Sequence, residues 1–388
     1  VRLTGGRRWV NNGSASLTGG HLSINDGSTF TNAGTFTVTT NDSDNIGMDS
    51  NAVGTNTFNN SGTLNWNTGV VNGISAVSAF NNTGTVNVDS GTLRIAAGGT
   101  DTGVYAVDAP ATLNFANGTR NLDAGSNVTG AGTVAFTGAT VNVGNAYSPA
   151  TTAISAGTVN FNAGGHTTTT LDLSGGVLGG TGSLTVSGEL NYTAGDLDGS
   201  LILGAVSNST LSGVTVAGGG AITNLGMLGL NNSSLSGSFT NSGTVNVTGS
   251  STASSGVVQQ AGAINVAGGQ TLTVGGSGLV LAGGRLTSGS TGTVAGNVNN
   301  TAGTVAPGAS PGILTINGDY AQQPGGVLEL EIGGAAPGTF DQLIVNGNAA
   351  LGGTLSATFI NSFAPAATNS FTLVQSSGTV SGTFATTN

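Results

Sequence analysis

The sequence predicts an all-β chain folded as a parallel β-solenoid, with coils of about 22 residues and almost no α-helix. Three observations carry that prediction. A short strand motif opening on glycine recurs along the chain, its residues alternate apolar and polar, and the composition is rich in glycine yet nearly free of charge.

The motif is clearest in residues 80–95. In Thr85-Val86-Asn87-Val88 both valines point one way, and in Thr92-Leu93-Arg94-Ile95 the leucine and isoleucine repeat the pattern. A period of two with β-branched residues marks a strand with one buried face. Glycine before each strand permits a turn, and Asn and Asp-Ser between strands tolerate bent backbone. Copies of the first strand end at Val38, Trp66 and Val247, and looser ones at Phe136, Phe161 and Val186.

The anchoring glycines are Gly34, Gly62, Gly84, Gly132, Gly157, Gly182, Gly226, Gly243 and Gly262, at intervals of 28, 22, 48, 25, 25, 44, 17 and 19. Halving the two long intervals leaves about 22 residues per repeat, the period of coils that bury a face only by stacking. The expected core holds Val86, Val88, Leu93 and Ile95, with Val134, Phe136, Val159, Phe161, Leu184, Val186, Val245 and Val247. Thr85, Asn87, Thr92 and Arg94 should face outward. Outward Thr and Asn at matching positions can form hydrogen-bonded ladders, whereas stacked like charges would repel.

Taken in order, residues 1–29 read as an entering coil or contact segment, carrying Trp9 and three of the six arginines. Residues 30–302 read as solenoid repeats, interrupted by a polar, acidic insertion at residues 41–56. Coils in residues 205–300 look shorter and richer in glycine. Residues 303–388 form a C-terminal segment: a turn-rich break at Pro307-Gly308-Ala309-Ser310-Pro311-Gly312 precedes longer strands such as Leu328-Glu329-Leu330-Glu331-Ile332. No segment shows a sustained 3.6-residue apolar period, and Thr, Ser, Gly and Asn are poor helix formers.

Charged residues are 6% of the chain, against about 25% in typical soluble domains. Disorder needs low hydrophobicity and high charge, whereas 37% of this chain is hydrophobic and alternates at strand period. Coils that vary in sequence and length argue against cross-β fibrils. The net charge is −10 and the six basic residues are all arginine, scattered apart from Arg7-Arg8. They are too few to neutralise a phosphate backbone, so neither nucleic acid nor an anionic membrane surface is an expected partner. There are no cysteines, hence no disulfide framework or thiolate metal site, which suits export of an unfolded chain. No apolar run approaches a membrane span. The first residue is Val1 and no leader follows it, so the start reads as processed or cut from a longer chain.

The C-terminal segment resembles the end of autotransporter passengers of the pertactin-like kind and related filamentous-haemagglutinin-like bacterial surface proteins. The matching residues are Pro307-Gly308, Ser310-Pro311-Gly312, Leu314-Thr315-Ile316-Asn317-Gly318-Asp319-Tyr320 and Gln322. They continue through Gly326-Val327-Leu328-Glu329-Leu330, Asp341-Gln342-Leu343, Val345, Gly347, Ala350-Leu351-Gly352-Gly353-Thr354-Leu355, Phe371-Thr372-Leu373 and Gly382-Thr383-Phe384. The resemblance implies a right-handed parallel β-helix exported by a Gram-negative-type route and displayed outside the cell. It also implies that the C-terminal region folds first and templates the coils behind it. The chain departs from the pattern in that no membrane β-barrel follows Phe384.

Parallel β-helices also host carbohydrate-active enzymes, whose chemistry needs two carboxyls roughly 5–10 Å apart. Asp172 with Asp196 and Asp101 with Asp123 have about one coil between them, yet each sits beside glycine or in a turn-like context without an expected Arg, His or aromatic neighbour. They read as solvated turn aspartates. Asn41-Asp42-Ser43-Asp44-Asn45-Ile46-Gly47-Met48-Asp49 is similar to a calcium loop, but Ile46 and Val53 stand where ligands are needed. His21 and His166 lack ligand-spaced partners and read as exposed or turn residues. No Gly-x-Ser-x-Gly elbow occurs at a strand-to-helix turn. Ice binding would need Thr-x-Thr to recur on one face in every coil, and it does not.

No catalytic, cofactor-binding or metal residues are therefore expected. The expected protein is a secreted, surface-exposed structural or adhesive β-solenoid, not an enzyme, with its ligand (surface or glycan) unspecified. A subunit of an extracellular filament is the alternative, and a carbohydrate-active enzyme the less favoured one. For the filament, the basic N-terminal residues and Asp319, Glu329, Glu331 and Asp341 suggest a head-to-tail contact between copies.

Overall fold

In the computed structural model the described residues are 1–42, 46–47, 49, 53–75 and 77–388. Every strand pairing in register is parallel, each to the equivalent strand of the next coil, and coils follow one another about every 21 residues. No helix occurs among the described residues. The chain is a β-solenoid, and it divides into two compact units, Val1–Leu201 and Ile202–Asn388.

In the first unit each coil has three strand faces where the sequence showed two. Ala79–Asn82 supplies one face, and Thr85–Ile95 bends at residues 89–91 to supply the other two. The register runs Phe58↔Phe80, Leu64↔Val86↔Tyr105 and Leu93↔Leu113↔Val134. Later strands fuse across the corners, as in Asn127–Val143 and Ala146–Phe161, with register shifts marking each bend. The alternation expected from the sequence holds: every residue placed in the core is at most 1% exposed, and Thr85, Asn87, Thr92 and Arg94 lie outward, half-buried. Each such Val, Leu or Phe contributes roughly 1.5–3 kcal/mol of burial.

The glycine anchors need a correction. Gly34, Gly62 and Gly84 precede strands of one face, but Gly132 precedes the Val134 strand of the second face and Gly157 the Val159 strand of the third. All three faces share the same Gly-Thr-apolar pattern, so the motif marks a corner without saying which one. The long 48-residue interval of the sequence crosses from one face to another.

The reason for glycine also differs from the one the sequence suggested. Gly34, Gly62, Gly84 and Gly103 form a file in which an added Cβ would overlap the carbonyl oxygen of the glycine one coil before. Close backbone approach, rather than a left-handed turn, demands glycine in that file.

The second unit opens with short coils. Leu228, Val245 and Ile264 stack in register 17 and 19 residues apart. Toward the C-terminus the coils lengthen, Val305, Leu328 and Leu355 lying 23 and 27 apart. The extra residues leave the strands as loops, one closed by an antiparallel bridge between Ile332 and Phe340. The Pro307–Gly312 break is pinned from inside: Asp341, 2% exposed, accepts hydrogen bonds from the N–H groups of Gly312 (2.6 Å) and Glu331 (2.8 Å).

Candidate functional site

Among the described residues, a column of hydrogen-bonded polar groups lies inside the coils. In the repeated pattern Phe-x-Asn-x-Gly, the strand parity that buries the phenylalanine also buries the asparagine two residues on. Asn11, Asn32, Asn60 and Asn82 are therefore buried, and each donates an Nδ2–H to the next side-chain oxygen at 2.8 Å until Asn82. Each also donates to a backbone carbonyl just past the corner, at Thr35, Thr63, Thr85 and Val104. The second unit repeats the device with Asn224, Asn241 and Gln259, joined at 2.7 Å. Sequence reasoning treated these asparagines as turn residues and missed the ladder, although their fixed distance from the phenylalanine was the available signal.

Beside this ladder runs an aromatic stack. Phe30, Phe58 and Phe80 have ring centroids 5.1 and 5.0 Å apart, continuing from Trp9 at 5.2 Å. Both columns end at one place. Gly99 follows Phe80 in the stack, and the space it leaves is filled from the next coil by Arg120, whose guanidinium carbon lies 5.4 Å from the Phe80 ring and 5.8 Å from Phe115. Asp101 follows Asn82 in the ladder and accepts its N–H at 2.9 Å.

Arg120 and Asp101, both fully buried, pair with Nη2–Oδ contacts of 2.5 and 2.6 Å and Nε–Oδ2 at 3.1 Å. Nη1 donates to the Ala97 carbonyl (3.0 Å), and the same Nη2 that faces Asp101 also lies within reach of the Phe80 carbonyl (3.1 Å) and the Tyr105 hydroxyl (3.3 Å). Burial pushes the Asp101 carboxyl up against the pull of Arg120. Burial opposes the Arg120 charge too, but the facing Tyr105 and Asp101 hold its pKa above the ordinary value. Burial raises the Tyr105 hydroxyl well above its ordinary range.

This placement corrects the reading of Asp101 as a solvated turn aspartate without an arginine nearby. The partner lies 19 residues away, on the next coil. Asp123 lies just beyond that coil's strand and is exposed, so the two carboxyls are not brought together. Nor are Asp172 and Asp196: Asp172 stacks on Asn191, which donates to it at 2.8 Å, and Asp196 stacks on Val177 of another face. Spacing by one average coil fails as a guide because individual coils differ in length.

Of the calcium-like loop, residues 43–45 and 48 lie outside the described residues. Asp42 accepts from Gly20 N–H (2.6 Å) and Thr40 Oγ1 (3.1 Å), which hold its carboxyl below the ordinary value. Asp49 pairs with Arg2 and accepts from Asn25 at 2.8 Å. Among the described residues no three His, Cys, Asp or Glu side chains converge as metal ligands. In the C-terminal coils Glu329 is bound bidentately by Arg285 (2.8 and 3.0 Å), which lowers its pKa, and Ser310 donates to Glu331 at 2.5 Å.

The outer surface carries the expected ladders. Asn87 donates to Asn65 at 2.9 Å, Asn142 to Asn121 at 2.8 Å and Asn265 to Asn246 at 2.8 Å. Thr92, Thr112, Thr133, Thr151 and Thr170 also align in one file, flanked at the next outward position by Arg94, Asn114, Ala135, Ala153 and Asp172. A corner groove of about 340 Å3 is lined by hydroxyl and small residues, among them Thr129, Ser148, Pro149, Thr167 and Ser187. His166 is buried rather than exposed, a second correction.

Comparison with protein-family models, with curated proteins and with solved structures returns no match for this chain.

Proposed function

We propose that the chain is a structural, adhesive stalk displayed outside a bacterial cell. The observation that carries this reading is the stacking of parallel coils whose outer rungs are uncharged Asn and Thr ladders. Such rungs present regular, uncharged hydrogen-bonding groups, which suits contact with neutral surfaces or glycans. The passenger-like residues at the C-terminus support the same reading, and Asp341 secures the Pro-Gly turn among them. On this reading the chain carries out no chemistry, and its buried polar columns serve the coils themselves.

The test has two arms. Protease shaving of intact source cells should release the chain, and inert beads coated with it should gain adherence to cells or glycan-bearing surfaces over uncoated beads. Protection of the chain until lysis would refute display. Unchanged bead adherence would refute the adhesive role.

A further inference from the structure

We propose that His166 is an acid-operated latch on the coil of residues 161–184: neutral, its imidazole completes the core, and protonated, it leaves through the turn beside it. The side chain is 1% exposed and packs against the rings of Phe161 (5.1 Å between centroids) and Tyr147 (6.5 Å). Leu184 stacks on it from the following coil. Neither ring nitrogen makes a well-formed hydrogen bond, although the Ala163 backbone lies near enough to favour the charged form weakly. An unpaired imidazole can be tolerated there while neutral, but a charged one cannot.

No carboxylate faces the ring to stabilise its charge. From Ala146–Phe161 the titratable group against it is Tyr147, whose hydroxyl is engaged with Thr152 at 2.9 Å. On the strands His166–Gly179 and Ser183–Leu197, Asp172, Glu189 and Asp196 project outward. Burial lowers the imidazole pKa, with the Ala163 backbone acting in the opposite sense.

The way out is next to it. The turn Asn162-Ala163-Gly164-Gly165 precedes His166, and no atom lies within 4 Å of a Cβ built on either glycine. Both glycines are exposed and can re-aim the backbone, so the ring would leave by this turn, giving up the pairing of His166 with Leu184 at the strand end.

The sign follows from linkage. With the folded pKa below the unfolded value of about 6.5, stability from neutral burial is complete above that pH and is lost as pH falls toward the folded pKa. The chain has two histidines and no cysteine, so few other side chains of ordinary pKa titrate between pH 5 and 8.

Two measurements test the latch. Limited proteolysis with a protease active from pH 5 to 8, normalised to an unstructured peptide, should show cleavage at residues 162–166 rising at least several-fold from pH 7.5 to 5.0. His166→Phe, which keeps an aromatic ring in the core, should abolish that rise. An equal rise in the variant, or none in the parent, overturns the proposal. NMR titration of the parent needs no variant: His166 should titrate below about 6.5 with loss of its contacts to Phe161. An ordinary titration with those contacts retained overturns it as well.

Discussion

Asn60 shows how much a single buried amide does in this chain. It donates to Asn82 (2.8 Å) and the Thr85 carbonyl (3.0 Å), and accepts from Asn32 (2.8 Å), within three coils. Asn60→Ala strands a buried donor and a carbonyl, and should cost about 2–3 kcal/mol in chemical denaturation. Asn59→Ala, one residue away on the outer face, removes only a half-buried bond from Asn81 (3.0 Å) and should cost about 0.5–1 kcal/mol. Asp101 sets a sharper contrast. Removing it alone as Asp101→Ala leaves Arg120 charged and buried, with an expected loss of about 3–5 kcal/mol. Replacing the pair together, Asp101→Leu with Arg120→Met, should recover most of that loss, read from the same denaturation midpoints. Period-two alternation made the apolar core legible at this scale. The buried polar residues were not legible, because Asn and Asp suggest turns and their partners lie a coil away.

At the scale of the element, the corner glycines decide how closely coils can stack. Gly62→Ala would drive a Cβ into the Gly34 carbonyl, and a shift of the whole corner should cost about 1–3 kcal/mol. Gly13 heads the same file with open space around it, so Gly13→Ala should leave the melting temperature nearly unchanged. The sequence singled out Gly34, Gly62 and Gly84 with a turn's rationale, since only stacked backbones reveal the close approach. It also merged three faces into one motif, because Thr85-Val86, Thr133-Val134 and Thr158-Val159 are locally indistinguishable. The third strand of each coil, Phe-x-Asn, was hidden by its own polar residues.

For the molecule as a whole, parallel pairing between coils is non-local and slow to form without a template. The C-terminal coils are the proposed starting point. Leu330 is fully buried and stacks on Ala357, so Leu330→Asp inserts an unpaired charge into those coils. If they initiate folding, refolded Leu330→Asp should lose proteolytic resistance in residues 30–200 as well as locally. Normal resistance upstream would show that those coils fold without them.

Coil-on-coil parallel register can be measured directly, because the chain has no cysteine of its own. Stacked residues of adjacent coils lie about 4.8 Å apart, within the Cα separation a disulfide spans, whereas residues two coils apart do not. Thr37, Asn65 and Asn87 occupy one rung on three successive coils. The pair Asn65→Cys with Asn87→Cys should oxidise to an intramolecular disulfide, and Thr37→Cys with Asn87→Cys should not. Cross-linking of the second pair with failure of the first would show that these coils are not stacked in this register.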